Sequence, residues 1–170
     1  FSVPSALVIE DFGTKGLTGG TDVKDNDNFS DFWRRHGKSH KTGTSRGRWG
    51  LGKLVYSSSS MLGVFFGLTV RTGESERYLM GQTVLDLHTY EGKEYPAHAY
   101  FCDMEGEGEI FQKTPVPLKA TQFVDSFTNQ FGISRQRESG LSIVIPFPFE
   151  GLRPDKMIGV AIENYFYPIL

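Results

Sequence analysis

Two glycine clusters carry the residue types that a nucleotide requires. The first, Glu10-Asp11-Phe12-Gly13-Thr14-Lys15-Gly16-Leu17, directly follows the apolar run Ala6-Leu7-Val8-Ile9. A strand that delivers an acid into a tight glycine turn can aim a carboxylate at a base. The second, Gly47-Arg48-Trp49-Gly50-Leu51-Gly52-Lys53, directly precedes a segment able to start a helix. A glycine-rich loop that enters a helix can wrap phosphates with bare backbone N–H groups. Together the clusters predict the two halves of one nucleotide pocket.

Two better-known signatures fit less well. Gly47 to Lys53 satisfies the G-x-x-x-x-G-K of a P-loop, but Leu54 stands where a magnesium-binding hydroxyl belongs, and the preceding residues are polar and basic rather than a buried strand. Asp11-Phe12-Gly13 spells the magnesium motif of protein kinases, without the catalytic-loop and A-P-E signatures that accompany it.

The elements that must position these clusters are short and mixed. Ser5–Ile9 reads as a buried strand, and the spacing of Phe29, Phe32 and Trp33 predicts a short helix over Asn28–Trp33. His36 to Arg48 has the composition of a loop, and Leu51 to Met61 can form a helix weakened by the serines at 57–60. An antiparallel meander follows, with strands over Val64–Arg71, Arg77–Leu87 and Tyr95–Cys102 separated by short glycine turns. Asp103–Pro117 is expected as an exposed loop. Phe123, Phe127 and Phe131 recur four apart, which predicts an amphipathic helix over about Ala120–Phe131 with its aromatics in the core. A strand over Gly140–Pro146 and a helix from about Pro154 to Leu170, packing through Ile158, Ile162, Tyr165 and Phe166, complete the chain. The expected fold is α+β: a two-layer sandwich with a mixed, largely antiparallel sheet and helices on one face.

Bulk properties narrow the class. The chain has 170 residues and a net charge of −2, enough for one domain over 1–170 and no global pull towards nucleic acid or anionic membrane. Basic residues nonetheless concentrate at Arg34, Arg35, Lys38, Lys41, Arg46, Arg48 and Lys53, and acidic ones at Asp22–Asp31 and Asp103–Glu109. A single cysteine, Cys102, excludes an internal disulfide, fits a reducing, cytoplasmic setting and is expected in the core. No apolar run approaches the roughly 20 residues of a membrane span. The start at Phe1 and the apolar end at Leu170 suggest a piece of a longer polypeptide. His88 and His98 are too isolated to suggest a metal site, and His36 and His40 lie in the loop.

In order along the chain, the motifs resemble the Bergerat-fold (GHKL) ATPases, which include sensor histidine kinases and the large heat-shock chaperones. Asp11, Gly13 and Gly16 match that superfamily's D-x-G-x-G box with one extra residue between the glycines. Gly47, Gly50 and Gly52 match its G-x-x-G-x-G box, and Gly140-Leu141-Ser142 stands where its last box belongs, with Leu141 in place of threonine. The resemblance implies that Asp11 recognises adenine and that Gly13 and Gly16 admit base and sugar. It further implies that Gly50, Leu51 and Gly52 hold the phosphates, with Arg48 or Lys53 adding charge, under a flexible lid spanning about 17–49. ATP, with magnesium, is the implied ligand. The superfamily's water-activating acid and magnesium-holding asparagine lie on a helix before the first box, and only nine residues precede Glu10. The chain therefore offers no catalytic base and no metal ligand; hydrolysis would belong to a full-length parent, and the fold is expected to be incomplete at its N-terminus.

Two other functions fit the same residues. The basic stretch 34–53, with Phe32, Trp33 and Trp49 as stacking groups, could bind nucleic acid. A degenerate Bergerat domain with a purely structural role is the other. Further domains of the same polypeptide, or a second copy, are the expected protein partners.

Overall fold

The computed structural model describes residues 5–22, 27–35 and 52–169. The chain begins with β1 (Ala6–Glu10), α1 (Asn28–Trp33), α2 (Leu54–Ser58), β2 (Val64–Val70) and β3 (Arg77–Val84). Three short strands follow: β4 (His88–Tyr90), β5 (Lys93–Tyr95) and β6 (His98–Phe101). A small hairpin of β7 (Asp103–Glu105) and β8 (Thr114–Val116) leads to α3 (Thr121–Phe131), β9 (Gly140–Pro146) and α4 (Pro154–Ile169).

The central sheet has the order β1-β9-β2-β3-β6, and every neighbouring pair in it is antiparallel. β1 and β2 therefore run in the same direction on either side of β9, with α1 and α2 in the connection between them. The last central strand of the chain is thus inserted beside the first, where Leu7 faces Ile145 and Ile9 faces Ile143. This insertion brings the first glycine turn to the start of β9.

Strand alternation divides the apolar residues between the two faces. On one face Leu7, Phe65, Met80, Ile143 and Ile145 pack with Phe29 and Trp33 of α1. The Trp33 ring is 1% exposed and stacks on Phe65, with centroids 5.5 Å apart and planes 8° from parallel. α1 forms locally because Asp27 accepts a hydrogen bond from the backbone N–H of Ser30 at its N-terminus. On the other face Leu68, Leu79 and Val144 receive Val124 and Phe127 of α3, with Ile133 just beyond the helix.

Helices therefore cover both faces, which corrects the expected two-layer arrangement. The four-residue spacing of Phe123, Phe127 and Phe131 reveals an apolar stripe but not the sheet face that receives it. Phe127 is buried, whereas Phe123 is largely exposed and rests on Phe101. The class itself, α+β with an antiparallel sheet, agrees with the pattern.

Three further expectations change. Tyr95–Cys102 is not one strand, because Pro96 has no N–H for a ladder and separates β5 from β6. Asp103–Pro117 is not a plain loop: β7 pairs with β8, with a 3-10 turn at Ile110–Gln112 between them. In α4 it is Met157, with Leu152 before the helix, that packs against the α1 cluster, while Ile158 and Ile162 face solvent. The side chains of Tyr165 and Phe166 lie outside the description.

Candidate functional site

Asp11 is the first residue past β1, where the ladder to β9 continues. Its N–H donates to the Leu141 carbonyl at 3.0 Å, and the Gly13 N–H donates to that of Ser139 at 3.0 Å. The carboxylate turns back on the same strand end: Oδ1 accepts from the Leu141 N–H at 2.6 Å and from the Thr14 hydroxyl at 3.0 Å. One oxygen is thereby anchored. Among the described residues no donor reaches Oδ2, and the side chain is 52% exposed. A carboxylate with one oxygen fixed and the other not taken by a described donor is a directed hydrogen-bond acceptor.

The chain then turns sharply. Gly16 has φ of +69°, and a Cβ there would fall 2.4 Å from the carbonyl oxygen of Val70, so only glycine fits against β2. The next residue is clamped: the Leu17 N–H donates to Thr69 Oγ1 at 2.9 Å, and its carbonyl accepts from Arg71 Nε at 2.7 Å. The first glycine box is thus tied to β9 on one side and β2 on the other.

Gly140-Leu141-Ser142, the third box in the sequence, lies against Asp11. Gly140 has φ of +143°, and a Cβ there would come within 2.5 Å of Asp11 Oδ1. Beneath this contact lies Arg135, which the sequence analysis did not single out. Its side chain is fully buried, and Nη2 donates to the main-chain carbonyl of Asp11. Nε donates to Ser142 Oγ at 2.8 Å, and Nη1 to the Glu138 carbonyl at 2.7 Å. The guanidinium also lies 4.7 Å from the centre of the Phe12 ring. Burial lowers the pKa of Arg135, and the carboxylates of Asp11, Glu10 and Glu138 oppose that shift.

Glu10 points to the opposite side from Asp11, as strand alternation requires. It accepts from the N–H groups of Ser134 and Arg135, at 2.9 and 3.2 Å, and from the Ser142 hydroxyl at 2.8 Å. Partial burial pushes its carboxyl up, but the donors at Ser134, Ser142 and Arg135 together outweigh that and hold it below its ordinary value. This carboxylate is fully occupied in fastening residues 134–135 to β1.

Of the second glycine box, Gly47, Arg48, Gly50 and Leu51 lie outside the described residues. Gly52 and Lys53 lie within them, at the entrance to α2. Among the described residues, no atom comes within 4 Å of a Cβ built on Gly52. Lys53 is not poised to meet a phosphate. Its ammonium donates to the carbonyls of Asp31, Phe32 and Arg35 at 2.7, 2.8 and 2.7 Å, closing the C-terminal end of α1. Burial lowers its pKa to about 8, with the Asp31 carboxylate acting in the opposite direction. α2 lies on the same side of the sheet as Asp11: the Tyr56 hydroxyl is pushed up by burial and additionally by the charge of Asp11.

The described part of the expected lid, 17–22 and 27–35, is not a detached flap, because Phe29 and Trp33 are in the core. The remainder of that span lies outside the described residues. Arg34 donates to the carbonyls of Asp22, Thr21 and Pro115, so its guanidinium is committed internally. Cys102 is half-buried, its thiol pushed up by burial and by Asp103 with Arg34 opposing. A thiol in that state is a weak nucleophile. His88 stacks on Tyr95, and no group of three His, Cys, Asp or Glu stands together among the described residues. No helix among them is long and apolar enough to cross a membrane.

A separate open cavity of about 590 Å³ lies between the start of α3 and residues 136–138. Its basic groups, Arg77, Lys119 and Arg137, are balanced by Glu76, Asp125 and Glu138, and Arg77 is already paired with Asp125. It lacks the net positive charge that a polyphosphate would need. Comparison with protein-family models, with curated proteins and with solved structures finds no match.

Proposed function

We propose that this chain is the nucleotide-binding part of a Bergerat-type ATPase, with Asp11 as the acceptor for the exocyclic amine of adenine. One observation carries the proposal: Asp11 Oδ1 is anchored by Leu141 N–H and Thr14, while no described donor takes Oδ2 and the side chain beside the glycine turn is half exposed. An ionised acceptor favours the 6-amino group of adenine and repels the 6-carbonyl of guanine. A hydrogen bond to a charged group contributes about 1.5–3 kcal/mol, so the preference for ATP over GTP should be at least about tenfold.

Phosphates would be met by the amides of the second box, Gly47 to Gly52, at the entrance to α2. Support comes from the position of α2 on the Asp11 side of the sheet. Arg48 remains the candidate for added charge, since Lys53 is spent on three carbonyls. Magnesium would enter with the nucleotide; no residue here is assigned to it, and hydrolysis is proposed only for a polypeptide that supplies the missing acid. Closure over the nucleotide, where it limits turnover, would couple binding to a partner domain or a second copy.

The nucleic-acid alternative draws less support. Trp33 is buried against Phe65, and Arg34 and Lys53 donate to internal carbonyls. Binding of labelled ATP to the full-length protein, with and without Asp11→Asn, tests the proposal. Asp11→Asn should weaken ATP binding at least about tenfold. Affinity for single-stranded DNA that falls steeply with salt and survives Asp11→Asn would favour the alternative. No nucleotide binding by a folded full-length protein would leave the structural role.

A further inference from the structure

Asp11 stands at a strand end, half exposed, next to two glycines that add no side-chain support. Leu141 N–H and Thr14 hold one carboxylate oxygen, and a buried cation on the other side of the backbone holds the main-chain carbonyl of the same residue. We infer that Arg135 is a positioning residue for base selection: it holds Asp11 in the orientation that distinguishes a 6-amino purine from other purines. This rests on the adenine-recognition role proposed above for Asp11.

The contacts divide by function. Arg135 grips the main-chain carbonyl of Asp11 rather than its carboxylate, and Nη2 lies 3.8 Å from Oδ1. That separation is too long for a hydrogen bond but short enough for attraction between the charges. A bidentate pair would have occupied both carboxylate oxygens and closed the site. Here Oδ1 is left to Leu141 N–H and Thr14, and no described donor takes Oδ2.

The guanidinium cannot easily shift. Ser142 Oγ holds Nε, the Glu138 carbonyl holds Nη1, and the Phe12 ring lies beside the planar group. Ser142 is itself fastened by donating to Glu10, which also anchors the Arg135 N–H. The three donor directions of a planar fork are each used, so lysine cannot substitute for them. Gly140 completes the fit, because a Cβ there would strike both Asp11 and Arg135 Nη1.

The test compares dissociation constants for ATP and for purine riboside triphosphate, which lacks the 6-amino group. The full-length protein is measured as wild type, Asp11→Asn, Arg135→Met, Arg135→Lys and the Asp11→Asn/Arg135→Met double variant. Wild type should prefer ATP by about ten- to a hundredfold. Arg135→Met should bring that ratio close to one while leaving purine riboside triphosphate affinity within about threefold of wild type, and Arg135→Lys should fall in between. Because Arg135 acts through Asp11, the double variant should be no worse for ATP than Asp11→Asn alone.

Equal weakening of both nucleotides by the Arg135 variants, or additive losses in the double variant, would reduce Arg135 to a structural residue and overturn the inference. If Arg135→Met does not fold, Arg135→Lys and Ser142→Ala carry the comparison, and an unchanged ratio in both overturns it too. If Asp11→Asn itself leaves the ratio unchanged, the adenine role of Asp11 fails and that of Arg135 with it. A ratio lost in Asp11→Asn but kept in every Arg135 variant rejects Arg135 alone.

Discussion

The Lys53 ammonium lies 2.7 Å from the Arg35 carbonyl, so the residue following the last glycine of the second box is bound to the end of α1. Two helices far apart in sequence are joined through one side chain and three backbone acceptors. Lys53→Met removes the donor and leaves those acceptors without it inside the protein. The expected loss is about 1–3 kcal/mol, measured by chemical denaturation.

The same group makes stability depend on pH. Its folded pKa of about 8 lies below the ordinary 10.5. Between those values the unfolded chain holds a proton that the folded chain has released, so this contribution favours folding as pH rises. It is complete above about pH 10.5 and lost as pH falls through about 8. The stability gap between wild type and Lys53→Met should therefore move in favour of wild type from pH 7 to pH 10. A gap that does not vary with pH would show that Lys53 titrates as an ordinary lysine.

Glu10 acts with the same sign in a lower pH window. Its carboxyl is held below the ordinary 4.5 by donors from Ser134, Ser142 and Arg135, despite partial burial. Its contribution is present above about pH 4.5 and is lost as pH falls through the lowered folded value. Glu10→Gln should lower stability at pH 7 by about 1–2 kcal/mol and flatten the acid limb of the stability curve. An acid limb that keeps the wild-type slope in Glu10→Gln would assign the acid sensitivity to other carboxylates.

Trp33 needs the space that Gly67 leaves. A Cβ on Gly67 would come 2.9 Å from the Trp33 ring, which is 1% exposed and stacked on Phe65. Gly67→Ala should cost about 1–3 kcal/mol through overpacking, and Trp33→Ala about 3–5 kcal/mol through the cavity it opens. Trp33→Ala should also relieve much of the Gly67→Ala penalty, so the two changes combined should cost less than their sum. Simple additivity in denaturation midpoints would mean that the ring is not what fills this space.

Much of the scaffold is legible because its signals are local. The Asn28–Trp33 helix and the Gly140–Pro146 strand occur where apolar spacing and bounding Gly or Pro place them. Lys53 illustrates the limit. Glycine followed by lysine suggests a phosphate ligand, but its actual partners are backbone carbonyls, which leave no side-chain pattern to read. Arg135 was hidden for a related reason. It lies in the polar run Ser134-Arg135-Gln136-Arg137-Glu138, which has the composition of a solvated loop, and its Asp11 contact spans 124 positions. Only the insertion of β9 beside β1 brings them together.

Gly140 offers the sharpest link between that insertion and the candidate site. Its φ of +143° is open to glycine and strained for any other residue. A Cβ would come within 2.4 Å of the Asp11 carbonyl oxygen, 2.5 Å of Oδ1 and 2.8 Å of Arg135 Nη1. Two of these three atoms belong to the residue proposed to meet adenine, so relief must come by displacing it. Gly140→Ala should therefore reduce ATP affinity at least about tenfold, the amount expected if one charge-assisted hydrogen bond is misdirected. Gly73→Ala serves as the comparison, since that glycine also has positive φ but has no atom of the described residues within 4 Å of an added Cβ. It should share the backbone strain and spare the nucleotide. Equal ATP affinities in the two variants, both folded, would mean that the Gly140 contact does not control where the Asp11 carboxylate points.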